Sequence, residues 1–275
     1  DFYIVKLNAS GKILLAECEG GNDIDIVSSI TVDVNGNLYI TGKFNSKKMY
    51  FGNIAISNYG FTNAFIAKYD ASGNPVWAKS AGGGYFDEGV DISCDLTANI
   101  FFLGSFQSKT IINGSDMLIN AGTASSKDIF LAKYDADGNV LWSSRTGGIG
   151  NDNPKGLSID KYGNAYITGE FQSSALLFDN IAISNKGVGN AFLAKYSSKG
   201  KVLWVRQSRG SFYDSGNTLT CDKEGNVFLS GTFRSQVLSF GQENLDNSLK
   251  TSLSSDIFIV KFDTAGNELW LKKAG

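Results

Sequence analysis

The chain has 275 residues, a formal charge of −2 and a pI near 5.3, so it carries no basic field with which to collect nucleic acid or an anionic membrane. It contains no histidine, which removes the commonest general base and transition-metal ligand. Glycine at 32 positions against 2 prolines suits many tight turns between short strands, and neither an apolar run near membrane-spanning length nor a charged-then-apolar leader is seen.

The chain opens in the middle of a repeat, which places its natural start upstream of Asp1. Residues 1–21 read as half a unit, with Leu15 where later copies have Trp. From residue 22 the same text runs four times, over 22–83, 84–148, 149–210 and 211–275, in lengths of 62, 65, 62 and 65. The line Asn63-Ala-Phe-Ile-Ala-Lys-Tyr-Asp70 returns from Asp128, Asn190 and Asp256, and the copies run on to Trp77, Trp142, Trp204 and Trp270. Units one and three also share Phe51-Gly-Asn-Ile-Ala-Ile-Ser-Asn58 and Phe178-Asp-Asn-Ile-Ala-Ile-Ser-Asn185, which units two and four replace; this implies an older two-unit duplication. A fixed long period marks supersecondary units that bury their apolar faces only against neighbours.

Within unit one, four β-rich runs stand between turn residues: A (28–33), B (38–44), C (64–69) and D (76–80). Asp33-Val-Asn-Gly-Asn37 joins A to B, and Asp70-Ala-Ser-Gly-Asn74 joins C to D. In each the Asp side chain can bond the turn backbone while Gly takes the left-handed position, so both read as hairpins. The B-to-C segment of roughly 20 residues is too long to be structureless in a compact domain, and the alternation around Ile54 and Ile56 predicts a short extra strand there, at a blade edge. No sustained helical period occurs.

These units predict an all-β fold, a β-propeller of four-stranded antiparallel blades of 62–65 residues each, with residues 1–275 forming one domain. The ring has five blades, the first only half present, or is part of a larger ring. Strand A has the smallest apolar residues and is expected innermost, with Ile30, Val32, Cys94, Ile159 and Cys221 buried. The three cysteines have no metal-ligand spacing and no disulfide framework is expected; Cys94 and Cys221, at the repeat position of Val32 and Ile159, read as small core residues.

Several motifs recur in order: Gly83-Gly84…Asp87-Glu-Gly89, Asp160-Lys-Tyr-Gly-Asn164, Tyr166-Ile-Thr-Gly169 and Asp128-Ile-Phe-Leu-Ala-Lys133. In them the whole chain resembles the bacterial β-propeller repeat family called SBBP. Two departures touch local turns: Gly148-Ile-Gly-Asn-Asp152-Asn-Pro lacks the Gly after Asp, and Ala98 stands where a turn Gly is expected. The resemblance implies a secreted or cell-surface bacterial protein, often within a larger multidomain chain, that binds or scaffolds without catalysis.

Candidate sites divide between features common to all units and features that differ. Asp25, Asp87, Asp152 and Asp214 each lie eight residues before the A–B turn Asp, in equivalent D-to-A connections. Such a ring could hold a hard cation, but an Asp in every unit is better explained as an acceptor for its own loop, so no metal is expected. Lys6, Lys68, Lys133, Lys195 and Lys261 share one strand-C position and are expected to hold a fixed partner, a loop Asp or carbonyl groups of the next blade. The four tryptophans are expected to pack between blades. Tyr85-Phe86 and Phe212-Tyr213 precede the loop Asp only in units two and four. Aromatics beside carboxylates could stack on sugar rings, and the alternative is that they staple neighbouring loops. The candidate ligand site is therefore Tyr85, Phe86, Asp87, Asp152, Phe212, Tyr213 and Asp214, with no catalytic residue and no cofactor. The leading reading is an adhesion or scaffolding module with a protein partner. A glycan-binding propeller comes second and an enzyme third, because no acid-base or nucleophile constellation stands outside the repeat.

Overall fold

The computed structural model describes residues 1–123, 126–248 and 254–274, and all regular structure among them is strand. The half unit is β1 (Phe2–Leu7) and β2 (Ile13–Glu19). Unit one holds β3 (Asp25–Val32), β4 (Leu38–Phe44), β5 (Lys48–Phe51), β6 (Ile54–Ser57), β7 (Asn63–Tyr69) and β8 (Pro75–Gly82). Unit two holds β9 (Asp87–Cys94), β10 (Ile100–Phe106), β11 (Thr110–Asn113), β12 (Asp116–Ile119), β13 (Asp128–Tyr134) and β14 (Val140–Gly147). Unit three holds β15 (Asp152–Ile159), β16 (Ala165–Phe171), β17 (Ala175–Phe178), β18 (Ile181–Ser184), β19 (Asn190–Tyr196) and β20 (Val202–Gln207). Unit four holds β21 (Asp214–Cys221), β22 (Val227–Phe233), β23 (Val237–Ser239), β24 (Asn244–Asp246), β25 (Asp256–Phe262) and β26 (Glu268–Ala274). Runs A to D are β3, β4, β7 and β8 and their equivalents, paired antiparallel in that order. The A strands pack on one another in the sequence β3, β9, β15, β21, as the inner wall of a propeller does.

The hairpins form for the reason their sequence suggests. The Asp33 carboxylate accepts bonds from Asn35 N, Asn37 N and Asn37 Nδ2 at 2.8–2.9 Å while Gly36 sits at φ 81°. Ala98 adopts the same left-handed conformation, φ 60°, and its N–H still donates to Asp95 O at 3.1 Å, so the missing glycine leaves the turn intact. The Tyr-x-Thr-Gly motif has a separate cause. Each A–B ladder slips by one residue at the same place, a β-bulge that brings the two backbones close. A Cβ on Gly42, Gly104, Gly169 or Gly231 would fall on the carbonyl oxygen of Ile26, Glu88, Asn153 or Ser215 across that bulge.

Two expectations need correction. The B-to-C insertion is a hairpin, not a single strand. In two cases it adds to strand D of the preceding unit, β11 to β8 and β17 to β14, so two sheets have six strands rather than four. Strand D otherwise ends these two units with an unpaired edge, which the next unit's hairpin covers, whereas β5–β6 and β23–β24 form two-stranded sheets of their own. Ile30 and Val32, expected in the core, are 58% and 57% exposed, and Cys94, Ile159 and Cys221 are half-buried. The reason lies in which neighbour covers strand A. Ile92 and Leu157, which match Ile30, are buried against the preceding unit, whereas β3 faces a half unit of two strands that has no A or B strand to lay against it. All three cysteines are free.

Each joint between units has one construction. Phe2 and Ile4 of the half unit pack against Phe65, Ala67 and Tyr69 of unit one. Ala64 and Ile66 then meet Phe130, Ala132 and Tyr134 of unit two, and Ala191, Leu193 and Trp204 of unit three meet Phe258, Val260 and Phe262 of unit four. The strand-C lysine and strand-D tryptophan close the joint below. Lys68 Nζ and Trp77 Nε1 both donate to Ala136 O, at 2.8 and 3.1 Å, and Lys195 Nζ and Trp204 Nε1 both donate to Thr264 O at 3.1 Å. Lys133 Nζ pairs with Asp95 at 3.1 Å and reaches Ser198 O at 3.5 Å, beside the 3.2 Å bond from Trp142 Nε1. Both expected partners of the lysine, turn carboxylate and neighbouring carbonyl, are therefore used.

Candidate functional site

The D-to-A connections and the B-to-C insertions lie at the same end of the strands, opposite the short hairpins, because each unit runs up and down in chain order. Their frame is a recurring Asp–Ser pair. Asp87 Oδ2 accepts from Ser108 Oγ at 2.7 Å and from Gly83 N at 2.8 Å, and Oδ1 accepts from Ser108 N at 3.1 Å. Asp25 with Ser46, Asp152 with Ser173 and Asp214 with Ser235 repeat the arrangement, with hydroxyl distances of 2.7–2.9 Å. The serine passes the restraint on by accepting a loop N–H, from Tyr85 at 2.8 Å in unit two and from Phe212 at 2.9 Å in unit four. Burial pushes Asp152 and Asp214 up to about 6 and Asp87 in the same direction, against the lowering effect of these donors. Among the described residues no group of His, Cys, Asp or Glu has the arrangement of a metal site.

Of the seven candidate residues, Asp87, Asp152 and Asp214 thus lie inside the loops with their oxygens bonded, while Tyr85, Phe86 and Tyr213 are exposed and Phe212 is half-buried. Tyr85 and Phe86 join a third ring, Phe61 of the preceding unit's insertion. Phe61 stacks on Phe86 at 5.2 Å and 13°, and Tyr85 sets its edge against both at 5.4 and 5.0 Å. Phe61 is 59% and Phe86 46% exposed. The loop that carries them is pinned to the same insertion by Thr62 N to Tyr85 O at 3.1 Å and Asp87 N to Thr62 O at 3.0 Å. In unit four Phe212 and Tyr213 meet edge to face at 5.6 Å, and Asp214 N donates to Gly189 O at 2.9 Å. The ring contacts of each pair stay local; unit three, whose loop is Gly150-Asn151, stands between them.

Each aromatic pair borders a recess with an ion pair in its wall. The first, about 290 Å³, is formed by Phe86, Thr62, Gln107 and Glu88, with Glu88 held between Lys43 at 3.1 Å and Lys127 at 2.9 Å. Burial works to raise the Glu88 carboxyl, and Lys127 and Lys43 more than offset it, leaving it below its ordinary value. The second recess, about 300 Å³, is formed by Tyr213, Ser215, Thr232 and Arg234 beside the Lys155–Glu170 pair at 3.2 Å. A larger groove of about 1060 Å³ lies where β23–β24 stands off β20, with Lys186, Arg206 and Arg209 along it. Arg206 there is already bonded to Gly266 O at 2.6 Å and stacked near Trp204. The repeating serine, 21 residues after each loop Asp, was visible in the sequence as a period. Phe61 and the Lys43–Glu88–Lys127 cluster were not, because they come together only across the joint between units one and two.

Comparison with known proteins agrees with this architecture. Over 331 aligned positions, 98% of this chain is 24% identical to the uncharacterized WD repeat-containing protein L264 of Acanthamoeba polyphaga mimivirus, covering 24% of that protein. Over 67% of this chain it is 25% identical to the regulatory protein FlaEY of Caulobacter vibrioides, covering 18% of that protein. The chain therefore spans a quarter or less of the length of these curated relatives. A family model matches residues 141–170, which run from strand D of unit two through the Asp152 loop and the Asp160 hairpin to the Tyr-x-Thr-Gly strand of unit three. That stretch is a beta-propeller repeat of the SBBP family, carried here in an all-β, propeller-like fold.

Proposed function

We propose that this chain is a non-catalytic binding module that takes a protein partner on its loop face, with Phe61, Tyr85 and Phe86 as the contact centre and Phe212 with Tyr213 as a second contact. The observation that carries this reading is the exposed three-ring cluster beside the Lys43–Glu88–Lys127 recess. Aromatic residues on a rigid frame give large contact area at small entropic cost, and charges at the rim set orientation. In this proposal the buried aspartates hold the loops and do not touch the partner. A relative described as WD repeat-containing supports a repeat scaffold over an enzyme. So does the commitment of the recurring carboxylates and lysines to turns and joints. An extracellular setting belongs to the proposal and rests on the family resemblance. A photoreactive amino acid at Phe86, compared with one at Val34 on the opposite face, tests it in expressing cells. A discrete crosslinked protein from position 86 and none from position 34 is expected; equal labelling or none at both refutes it.

A second reading, glycan binding, is favoured by the same rings lying next to a polar recess. A glycan array answers it. A signal lost on Tyr85→Ala with Tyr213→Ala supports the sugar, and a blank array from the folded chain removes it.

A further inference from the structure

The joint between units three and four is open at its outer rim where the two joints before it are closed, and one residue accounts for the difference. Strand D of units one and two runs to Gly82 and Gly147, where it pairs with the next unit's insertion, Gly82 with Ile112 and Gly147 with Leu177. A Cβ at either glycine would fall on the side chain of Asn63 or Asp128, the first residue of strand C. Unit three has Arg209 at this position, with Asn190 opening its strand C. With a side chain there the close approach is lost. Strand β20 stops at Gln207, two residues short of its counterparts, and is the edge strand of a four-stranded sheet. One bond of the missing ladder remains, Arg209 N to Ser239 O at 2.7 Å.

The gap is the groove of about 1060 Å³, floored by β20 and walled by β18 of unit three and β23 of unit four. Its charge is of one sign. Lys186, Arg206 and Arg209 line it and no Asp or Glu does, in a chain whose net charge is −2. Arg206 is tied to Gly266 O and adds charge alone. Lys186 and Arg209 are exposed, and neither has an ion pair among the described residues. Asn190, 2% exposed, also lines the groove, and its Oδ1 has no hydrogen-bond partner among the described residues. Asn63 shares the bare oxygen, but its amide donates to Ser80 Oγ at 3.0 Å, whereas Asn190 borders open space.

We propose that this groove takes an extended, acidic peptide segment of a partner protein, which adds as a strand to the edge of β20 that the next unit's insertion leaves uncovered. Strand addition satisfies the unpaired backbone groups of a sheet edge, and side chains of the added segment set its specificity. Acidic side chains match Lys186 and Arg209, and the segment's N–H groups supply the donor that Asn190 lacks. A polyanion without peptide groups would match the charge but give the edge nothing to pair with, and an apolar strand would leave both cations unmatched. The groove is separate from the Phe61–Tyr85–Phe86 cluster, and its occupancy does not depend on the role given to those rings.

Fluorescence anisotropy with three labelled octapeptides tests this. One alternates glutamate with threonine, the second alternates lysine with threonine, and the third is the glutamate peptide with proline at two threonine positions, which keeps the charge but removes N–H donors. The glutamate peptide should bind the folded wild-type chain, and the other two should bind at least about tenfold more weakly, the scale of one lost charge-assisted hydrogen bond. Lys186→Gln with Arg209→Gln should weaken the glutamate peptide by at least the same factor, with an unchanged melting temperature because both sites are exposed. Arg209→Gly, which restores the residue of units one and two, should let β23 close onto β20. The β23 amides should then exchange more slowly and the peptide should be excluded. No binding of the glutamate peptide overturns the proposal. Equal binding of the proline peptide overturns it in favour of charge attraction alone, and full binding by the double variant overturns it by moving the peptide elsewhere. Sedimentation of the chain without peptide covers the remaining occupant: association that rises with concentration and is abolished by the double variant assigns the groove to a second copy and overturns the partner peptide.

Discussion

Trp204→Ala separates packing between units from packing within them. The indole is 8% exposed, lies edge-on to Tyr166 at 5.9 Å, faces Gly266 of the next unit and donates to Thr264 O at 3.1 Å. Emptying a buried Trp site costs about 3–5 kcal/mol. The lost hydrogen bond contributes about 1 kcal/mol of this and no more, because Lys195 still donates to the same carbonyl and leaves no orphaned acceptor. We therefore expect about 4 kcal/mol for Trp204→Ala and about 1–2 kcal/mol for Trp204→Phe, which keeps most of the ring but not the donor. Trp270→Ala is the internal control. It occupies the same repeat position and keeps its contact with Phe228 at 5.9 Å, but among the described residues its Nε1 has no hairpin carbonyl like the one Trp204 uses, so its removal from this chain should cost less than about 2 kcal/mol. Denaturant unfolding followed by circular dichroism at low protein concentration measures all three. Equal losses at 204 and 270, or a loss under about 1 kcal/mol at 204, would refute the assignment of strand D to the joints.

The loop aspartates give a pH signature. Asp152 and Asp214, raised to about 6 by burial, bind their protons more tightly in the folded chain than in the unfolded one, so their stabilisation is complete below the ordinary value of 3.8 and is lost as the pH rises to about 6. Asp95 acts oppositely: burial, which would raise it, is outweighed by Asn99, Thr97 and Lys133, it falls to about 2, and its stabilisation is lost between 3.8 and about 2. Denaturation midpoints should thus peak near about pH 4, and Asp152→Asn with Asp214→Asn should flatten the decline above that; an unchanged slope contradicts the cause given. Ala98→Gly should stabilise by about 0.5–1 kcal/mol, since relief of a left-handed alanine exceeds the added chain entropy, and a lowered melting temperature would refute this. Tyr85→Gly with Phe86→Asn, which installs the unit-three loop text in unit two, should cost less than about 1.5 kcal/mol in thermal unfolding and abolish crosslinking of a partner to Phe61. Full crosslinking after the exchange would move the contact centre elsewhere.

How much could be read from the sequence depended on whether a feature is local to one unit. The strands, the Asp-anchored hairpins and the loop position of Asp87 follow from alternation and turn residues that lie within a dozen positions of each other. The shared strand-C lysine and strand-D tryptophan were visible as a period, and their partners lie one unit away in the hairpin that same period defines. Burial of strand A was not legible in unit one. Ile30 and Ile92 are equivalent residues in equivalent strands, and they differ only in what stands before them, a half unit in one case and a whole unit in the other. The alternation of Ile54 and Ile56 signals only one strand of the insertion, because its partner β5, Lys48–Phe51, follows closely on strand B with no turn residue at its start other than Asn45 and Ser46. The three-ring cluster needed two units to be placed side by side before Phe61 could be seen to stack on Phe86.

The division between the two ends of the strands follows from where the joints are fastened. At the hairpin end, each joint between whole units ties a Lys and a Trp of one unit to a backbone carbonyl of the next, so a change in either side chain is felt by two units, and both recur in every whole unit while the residue that carries the carbonyl varies. At the loop end, the fastening is an Asp and a Ser within one unit, and the residues between the glycine and the aspartate are held by their backbone N–H and C=O groups rather than by their side chains. A side chain there can change from Gly-Asn to Tyr-Phe with the Asp–Ser frame untouched, as units three and two show. Sequence divergence on that face is therefore what the physics of the frame permits, and a frame that fixes the backbone while releasing the side chains is what a recognition surface requires. Four copies of one fold then present four differently dressed loops in fixed relative positions, and specificity can arise from their combination without any change to the joints that hold them.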